Sequence, residues 1–289
     1  DGGTNMEIVE NLPISQFYQI SVDDAEPYNV YGGLQDNGSW WGPSSSPGGV
    51  QARDWNSVGA GDGFRVLKHP TKNIIYSEMQ GAENVWRIDV DRNLTKTIQP
   101  LPASDVKDLR WNWNAPMATS THQPDRFYMG SQFLHKSEDM GNSWKIISPD
   151  LTTNDPTKQT QEDSGGLSMD NSGAENHTTI FTIEESTLDE NVIWVGTDDG
   201  NVQVTQDGGK TWTLVANNQN PNYKSCLQYV PNTNGKEVFA VGKTGISFSN
   251  NGGKTWKEVS KDSYYAIQFV DKNTAWLSGN NKVGKLILE

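Results

Sequence analysis

An eight-residue string that returns along the chain restricts the fold more than any other feature of the sequence. It reads TQDGGKTW at 205–212, SNNGGKTW at 249–256 and, more loosely, SEDMGNSW at 137–144. Each copy combines turn-forming Asp, Asn and Gly residues with a large terminal aromatic, and each follows a strand-like run. The spacing predicts that the string joins the third and fourth strands of a repeated unit.

The side chains of this string have clear structural roles. The side-chain oxygen of Asp139, Asp207 or Asn251 is expected to accept hydrogen bonds from the backbone amides of its own turn. The closing aromatics are expected to bury against neighbouring strands, where each contributes a few kcal/mol by area, and they are Trp144, Trp212 and Trp256. These roles account for every residue type in the string, so we assign the turns no chemistry.

A second repeat sets the size of the unit. A strand that closes on an aromatic recurs about every 45 residues, at Tyr31, Tyr76, Tyr128, Trp194, Phe239 and Trp276. Short alternating runs separated by Gly, Asn, Asp and Pro are typical of strands. We therefore predict a single all-β domain, a β-propeller of about six four-stranded blades. The predicted blades cover approximately 14–59, 61–102, 112–149, 176–216, 223–260 and 262–289, with a further strand at 4–10.

The first residues leave two interpretations open. DGGTNM at 1–6 aligns with DGGKTW, with Met6 in place of Trp, so the chain begins inside another copy of the turn. The strand at 4–10 then either completes the last blade and closes the ring, which hides the sheet edges, or the chain is a piece of a longer protein with additional blades.

The pattern S/T-x-D-x-G-x-x-W resembles the Asp-box of BNR-repeat propellers, a superfamily of sialidases, xyloglucanases, sortilin-type receptors and photosystem assembly factors. Residues 10–215 more narrowly resemble exported bacterial sortilin-like or "glycosyl hydrolase BNR repeat" proteins, on strings such as PYNVYGGLQDNGSWWGPS and IWVGTDDGNVQVTQDGGKTW. Residues 216–289 are more similar to assembly-factor blades. The resemblance implies a propeller in an extracellular or periplasmic protein. It leaves activity open, because enzymes and non-enzymes share the motif.

Composition narrows the classes of partner. The formal net charge is −13, which would repel phosphates over most of the surface and argues against nucleic acid or an anionic membrane. No run approaches the roughly 20 apolar residues of a membrane helix, so no membrane insertion is expected. The single cysteine, Cys226, excludes an internal disulfide and is read as a small hydrophobe in a strand. Neutral sugars, cations and basic proteins remain compatible with this charge.

Propeller geometry gathers the unusual loops on one side. Loops between second and third strands and loops between blades share what we call the first face, whereas the Asp-box turns occupy the second face. The candidate ligand-binding residues of the first face are Gln35, Asp36, Asn37, Trp40, Asp62, Trp111, Asn112, Trp113, Glu175, Asn176, His177 and Asp198. Tryptophans stack on sugar rings and the polar groups direct hydrogen bonds, so the set predicts a surface for a glycan or protein partner.

Each of these residues alone also fits a structural role. Tryptophans at the start of a blade fill gaps near the axis, and DNG at 36–38 is a good hairpin turn. The longest inter-blade insertion, at about 148–176, lies on the first face as well. It is either a solvated excursion or part of the site, since loops of that length are uncommon in a compact domain.

Enzymatic and metal-binding alternatives remain. Glycoside hydrolysis needs two carboxylates, one an acid and one a base or nucleophile, and the candidates are Asp36, Asp62, Glu175 and Asp198, with His177 as a proton partner. Sialidase chemistry is disfavoured, because only Arg65 and Arg110 lie beside first-face segments and that family uses three arginines. No cofactor is predicted, although oxygen-rich TDDGN and DNSGAEN keep a structural Ca²⁺ as an alternative. A non-catalytic binding scaffold is the favoured interpretation.

Overall fold

The computed structural model describes residues 16–102, 108–163, 174, 176–216, 221 and 224–288. The first three sheets contain β1 Phe17–Val22, β2 Asn29–Leu34, β3 Ser39–Pro43 and β4 Asn56–Gly59; β5 Gly63–Lys68, β6 Ile74–Met79, β7 Val85–Asp89 and β8 Leu94–Thr97; β9 Met117–Thr119, β10 Phe127–Gly130, β11 Leu134–Ser137 and β12 Lys145–Ile146. The last three contain β13 Ile180–Glu185, β14 Ile193–Thr197, β15 Val202–Thr205 and β16 Thr213–Ala216; β17 Cys226–Tyr229, β18 Val238–Gly242, β19 Gly245–Ser249 and β20 Lys257–Ser260; β21 Ala266–Phe269, β22 Thr274–Gly279 and β23 Lys282–Ile287.

Every sheet is an antiparallel meander in which each strand pairs with the next along the chain. Five sheets have four strands, and the sixth has three within the described residues. The six sheets are the blades of a six-bladed β-propeller, and the predicted all-β fold class is confirmed. Among the described residues, helix is confined to short 3-10 turns at Ala52–Asp54, Gln80–Ala82, Pro156–Lys158 and Gln161–Asp163. The strand predicted at 4–10 lies outside the described residues.

Apolar clusters lie between consecutive blades from the first to the sixth. Between the second and third blades, the rings of Tyr76 and Phe127 stack with centroids 4.3 Å apart. Between the fifth and sixth blades, Phe239 and Phe269 meet at 5.7 Å. A blade is therefore stabilised by burying its two faces against its neighbours, since a single four-stranded sheet cannot bury both.

The aromatics that close the second strands form part of this core in five of six blades. Tyr31, Tyr76, Tyr128, Trp194 and Phe239 are each at most 4% exposed. Trp276 of the sixth blade differs, at 48% exposed. Its neighbours Ala275 and Leu277 point toward the fifth blade and are buried. Because side chains alternate across a strand, Trp276 points away from that interface.

The repeated turn has the predicted position and hydrogen bonding. Its three copies connect β11 to β12, β15 to β16 and β19 to β20. The amides of Lys210 and Thr211 donate to Asp207 Oδ1 at 3.0 and 2.9 Å. In the copy where Asn replaces Asp, the amide of Thr255 donates to Asn251 Oδ1 at 2.9 Å. The neutral side chain keeps the acceptor that the turn needs and omits the charge.

The tryptophan of each turn reaches back to the preceding blade. The indole N–H of Trp144 donates to the carbonyl of Ile98 at 2.7 Å, just beyond β8 of the second blade. The indole N–H of Trp212 donates to the carbonyl of Ile147 at 3.0 Å, just beyond β12 of the third blade. The string thus fastens its own blade to the one before it, which confirms the structural prediction for these turns.

In the part of the chain that the structure describes, no helix combines the length and hydropathy that a bilayer crossing requires.

Candidate functional site

The first-face loops of neighbouring blades are joined by backbone hydrogen bonds. The amide of Gly38, in the β2–β3 loop, donates to the carbonyl of Gly61 between the first two blades at 2.8 Å. The amide of Gly81, in the β6–β7 connection, donates to the carbonyl of Trp113 at 2.9 Å. The amide of Asp198, in the β14–β15 loop, donates to Thr179 at 3.0 Å. The two classes of loop therefore meet on one side of the molecule.

Asp62 is the centre of the first group of predicted site residues. Its Oδ1 accepts the amide of Asp36 at 2.6 Å, and its own amide donates to Gln80 Oε1 at 2.9 Å. The amide of Gln80 returns to the Asp62 carbonyl at 3.0 Å. The loops of blades one and two are consequently held in one arrangement, with the Asp62 carboxylate facing a backbone donor.

Around this centre, the β2–β3 loop presents polar groups to solvent. Gln35, Asp36 and Asn37 are exposed, and Trp40 is half-buried beside them. The indole N–H of Trp40 donates to the Asn37 carbonyl at 2.6 Å, which orients the ring over the loop. Asp36 has a φ of 58°, a left-handed conformation that short polar side chains tolerate. The loop thus holds an aromatic surface next to three polar side chains.

Asp198 is the centre of the second group. Its Oδ1 accepts the amide of Thr179 at 3.0 Å, and its Oδ2 accepts the Thr179 hydroxyl at 2.7 Å and Asn112 Nδ2 at 3.2 Å. Burial raises the pKa of Asp198 above its ordinary value, and the Thr179 hydrogen bonds and nearby His177 oppose part of that shift. Asn176 Nδ2 donates to the Trp111 carbonyl at 3.1 Å, which ties the same two inter-blade loops together.

The predicted site residues in the sequence WNWN at 111–114 occupy different environments. Trp111 is 6% exposed and stacks on His135 with centroids 5.4 Å apart, inside the core between the second and third blades. That packing leaves almost no indole surface for a ligand, so Trp111 is a core residue. Trp113 is half-buried, and Asn112 is engaged by Asp198. The same sequence pattern therefore supplies one core plug, one hydrogen-bonding bridge and one accessible aromatic.

Glu175, a predicted carboxylate of the site, lies outside the described residues. His177 is half-buried, and its Nδ1 has no hydrogen-bond partner within the described residues. His177 offsets part of the rise in the pKa of the Asp198 carboxyl group. The second group therefore joins His177 to Asp198, whereas Asp36 and Asp62 belong to the first group.

Two residues outside the candidate ligand-binding set, Arg110 and Asp199, hold the long insertion. Arg110 Nη2 donates to Asp150 Oδ2 at 2.7 Å, and Arg110 Nε donates to the Thr178 carbonyl at 3.2 Å. Asp199 Oδ2 accepts the amide and the hydroxyl of Thr153, both at 2.7 Å. The start of the insertion is thus bound to the first face by ionic and charge-assisted hydrogen bonds. In the sequence, the position of Arg110 directly before Trp111 is the feature that could have indicated its role.

Three charged residues on strands of the second and fourth blades were not predicted either: Glu78 is buried, and Arg65 and Glu184 are half-buried. Arg65 on β5 of the second blade donates from Nη2 to the Phe181 carbonyl on β13 of the fourth blade at 3.4 Å. Burial lowers the pKa of Arg65, and burial raises the pKa of Glu78 well above its ordinary value, with Arg65 offsetting part of the rise. Burial, with a smaller contribution from Glu185, raises the pKa of Glu184 to about 7.

The alternative of a metal centre needs a cluster of ligand side chains. Within 16–102, 108–163, 176–216 and 224–288, no three or more His, Cys, Asp or Glu side chains converge in a way that could hold an ion. In TDDGN, the carboxylates of Asp198 and Asp199 are occupied by Thr179, Asn112, Thr197 and Thr153. Most of DNSGAEN lies outside the described residues.

The fold is similar to three solved structures. An enzyme, Niastella koreensis GH74, superposes with a TM-score of 0.53 and 15% identity over 77% of this chain and 35% of that chain. The extracellular domain of the one-component system BT4673 from B. thetaiotaomicron superposes with a TM-score of 0.62 and 12% identity, over 93% of this chain and 32% of that chain. The computationally designed Ika8 protein superposes with a TM-score of 0.53 and 13% identity, over 93% of this chain and 71% of that chain.

At these identities the likeness shows the propeller fold alone. The chain spans about a third of the length of the first two neighbours. No protein-family model matches the sequence, and no curated protein matches it.

Proposed function

We propose that this chain is a non-catalytic propeller scaffold of the Asp-box type, whose first face binds a carbohydrate or protein partner. The observation that carries the proposal is the series of hydrogen bonds from Asp36 through Asp62 and Gln80 to the Trp113 loop. These bonds fix loops from three blades before any ligand arrives. A prearranged surface loses less conformational entropy on binding, so few contacts suffice for useful affinity.

The chemistry of this surface suits hydroxyl-rich ligands. Gln35, Asp36 and Asn37 offer donors and acceptors to solvent beside the partly exposed ring of Trp40, and Trp113, bonded through its carbonyl to Gly81, adds a second half-buried ring. A concave or flat site with a few convergent polar groups and an aromatic platform is the usual form of a small-ligand site. The net charge of −13 excludes polyanions from most of the surface and leaves neutral glycans and basic proteins as partners.

The runner-up is a glycoside hydrolase, and one observation favours it. The pKa of Asp198 is raised by burial, as a general acid requires. Against it, Asp198 accepts three hydrogen bonds from Thr179 and Asn112, and Asp62 accepts a backbone amide. These carboxylates act as structural acceptors, because the bonds they accept hold loops together.

A glycan array followed by two matched variants tests the proposal. Trp40→Ala is expected to reduce glycan binding at least tenfold with a small change in unfolding midpoint. Trp276→Ala removes a 48% exposed indole from the sixth blade and serves as the control that keeps binding. Equal losses of glycan binding in the two variants would contradict a first-face site. So would a loss of glycan binding by Trp40→Ala that is matched by its loss of stability.

The remaining alternatives have separate readouts. Sugar release from a polysaccharide panel that disappears in Asp198→Asn, with unchanged melting, establishes the hydrolase instead. An array with no bound glycan, together with no sugar release, leaves a protein partner as the occupant. We also propose that the protein is exported, which the extracellular neighbour supports. Detection of the protein in the cytoplasmic fraction of its cell would contradict this.

A further inference from the structure

A cavity of about 760 Å³ opens on the second face, away from the first-face loops. It lies between the second and third blades and is bounded by the β5–β6 loop, by β7 and β8 with their connecting turn, and by Met140 of the third blade's Asp-box turn. Its volume falls within the range of roughly 300–1,000 Å³ typical of small-ligand sites. The second blade has no Asp-box string in its β7–β8 turn, which reads DVDRN at 89–93.

The charge of this cavity is opposite to that of the protein. Four basic residues line it, Lys72, Arg87, Arg92 and Lys96, against two acidic residues, Asp89 and Asp91. The whole chain carries 36 acidic and 23 basic residues. A local excess of positive charge in a strongly acidic protein concentrates anions at that one place and repels them elsewhere.

The two central cations lie directly opposite each other across adjacent strands. Arg87 on β7 is the register partner of Lys96 on β8, and Tyr76 on β6 is the partner of Arg87. Like charges at directly opposed positions destabilise a sheet. The arrangement therefore favours an anion between the two side chains.

Neither of these cations forms an ion pair among the described residues. Arg87 Nη1 donates to the Met140 carbonyl at 2.9 Å, and Lys96 Nζ donates to Asn142 Oδ1 at 2.7 Å. Both acceptors are neutral. The hydroxyl of Tyr76, next in the same row, is buried without a hydrogen-bond partner in the described part of the chain.

We propose that this cavity binds an acidic saccharide, with a carboxylate or sulfate group of the sugar between Arg87 and Lys96. Arg92 and Lys72 stand at its edge, where Arg92 also pairs with Asp89 and Lys72 with Asp125. Asp89 accepts the amide of Arg92 and Asp91 accepts Nδ2 of Asn73, and the remaining lone pairs of both carboxylates can accept sugar hydroxyls, which a simple inorganic anion does not offer. Leu94, 61% exposed at the wall, offers an apolar contact for a ring face.

Calorimetric titration with three oligosaccharides of equal length tests this directly: an oligogalacturonate, a sulfated oligosaccharide and a neutral glucan. Binding by the uronate or the sulfated oligosaccharide, and not by the glucan, is the expected result, and the arm that binds identifies the anionic group. Equal binding of neutral and acidic sugars overturns the proposal. Inorganic sulfate that competes as strongly as the saccharide shows an anion site without sugar recognition and overturns it as well.

Variants at Lys96 separate a site from general charge attraction. Lys96→Gln is expected to weaken binding at least tenfold, while Lys210→Gln, which removes an exposed cation from the turn of the fourth blade on the same face, leaves it unchanged. Lys96→Glu is the sharper variant, because it puts a carboxylate opposite Arg87. It should abolish binding and leave the unfolding midpoint equal or higher. Equal losses for Lys96→Gln and Lys210→Gln, or a lower midpoint for Lys96→Glu, would refute the proposed site.

Discussion

The adjacent glycines of the repeated turn at 249–256 provide a direct test of how that turn contacts the fourth blade. Gly252 and Gly253 both have positive φ, 68° and 77°. A Cβ added at Gly253 would lie 1.8 Å from the nearest ring atom of Trp194, which is only 2% exposed. A Cβ added at Gly252 would find its nearest atom, a backbone oxygen of Gly235, at 3.5 Å, an ordinary contact distance. The pair therefore separates steric overlap from backbone strain.

The expected losses follow from these two contributions. Gly252→Ala should cost about 1–2 kcal/mol, because a side chain is disfavoured in the left-handed region. Gly253→Ala carries the same strain and must also displace a packed indole, for which overpacking costs about 1–3 kcal/mol more. The sum for Gly253→Ala is about 2–5 kcal/mol, a large part of the stability of an ordinary domain.

Urea unfolding, followed by tryptophan fluorescence, measures both free energies under identical conditions. The difference between the two variants is the quantity of interest, since the strain cancels in it. Losses that agree within error would show that the turn does not pack on Trp194 as the structure has it. First-face ligand binding should be unchanged in both variants at temperatures where they remain folded, because the turn has a structural role only.

Two further predictions concern titration. Hydrogen bonds from Thr211 hold the pKa of Asp207 at about 2, below its ordinary 3.8, so this carboxylate contributes stability above pH 4 that is lost as pH falls toward 2. Asp207→Asn should fold normally, as Asn251 does in the third turn, and acid titration of its unfolding midpoint should lack that loss. The pKa of Glu184 is instead raised to about 7, so the native state loses relative stability as pH rises from 4.5 to 7. Glu184→Gln should be more stable than wild type at pH 8 by about 1–3 kcal/mol and should flatten that pH dependence, whereas an unchanged profile would show that Glu184 is solvated.

The parts of the fold that sequence could predict are those that local chemistry repeats. Each copy of the repeated turn is built within eight residues, so the hydrogen bonds to Asp207 and Asn251 follow from the local sequence alone. The blade period follows from aromatics such as Tyr76 and Tyr128, because five of the six blades bury the same strand position in the core. Such patterns appear in a sequence without any knowledge of which blades meet.

The candidate site was less predictable because it depends on contacts between distant segments. Trp111 and Trp113 are two residues apart, yet one is a core plug and the other is accessible, and no local pattern distinguishes them. Arg65 reaches a carbonyl 116 residues away, at Phe181. An arginine in a strand usually indicates a solvated edge, and only closure of the blades around an axis encloses it.

The backward reach of the turn tryptophans has a mechanical consequence. Trp144 fastens the third blade to the second, and Trp212 fastens the fourth to the third, always from the later blade to the earlier. Force applied at the C-terminal end would break these inter-blade contacts one after another, so the chain should extend in steps of about one blade. A single-molecule pulling experiment should then record a series of separate unfolding steps. Trp212→Phe should lower the force of the step that separates the fourth blade from the third.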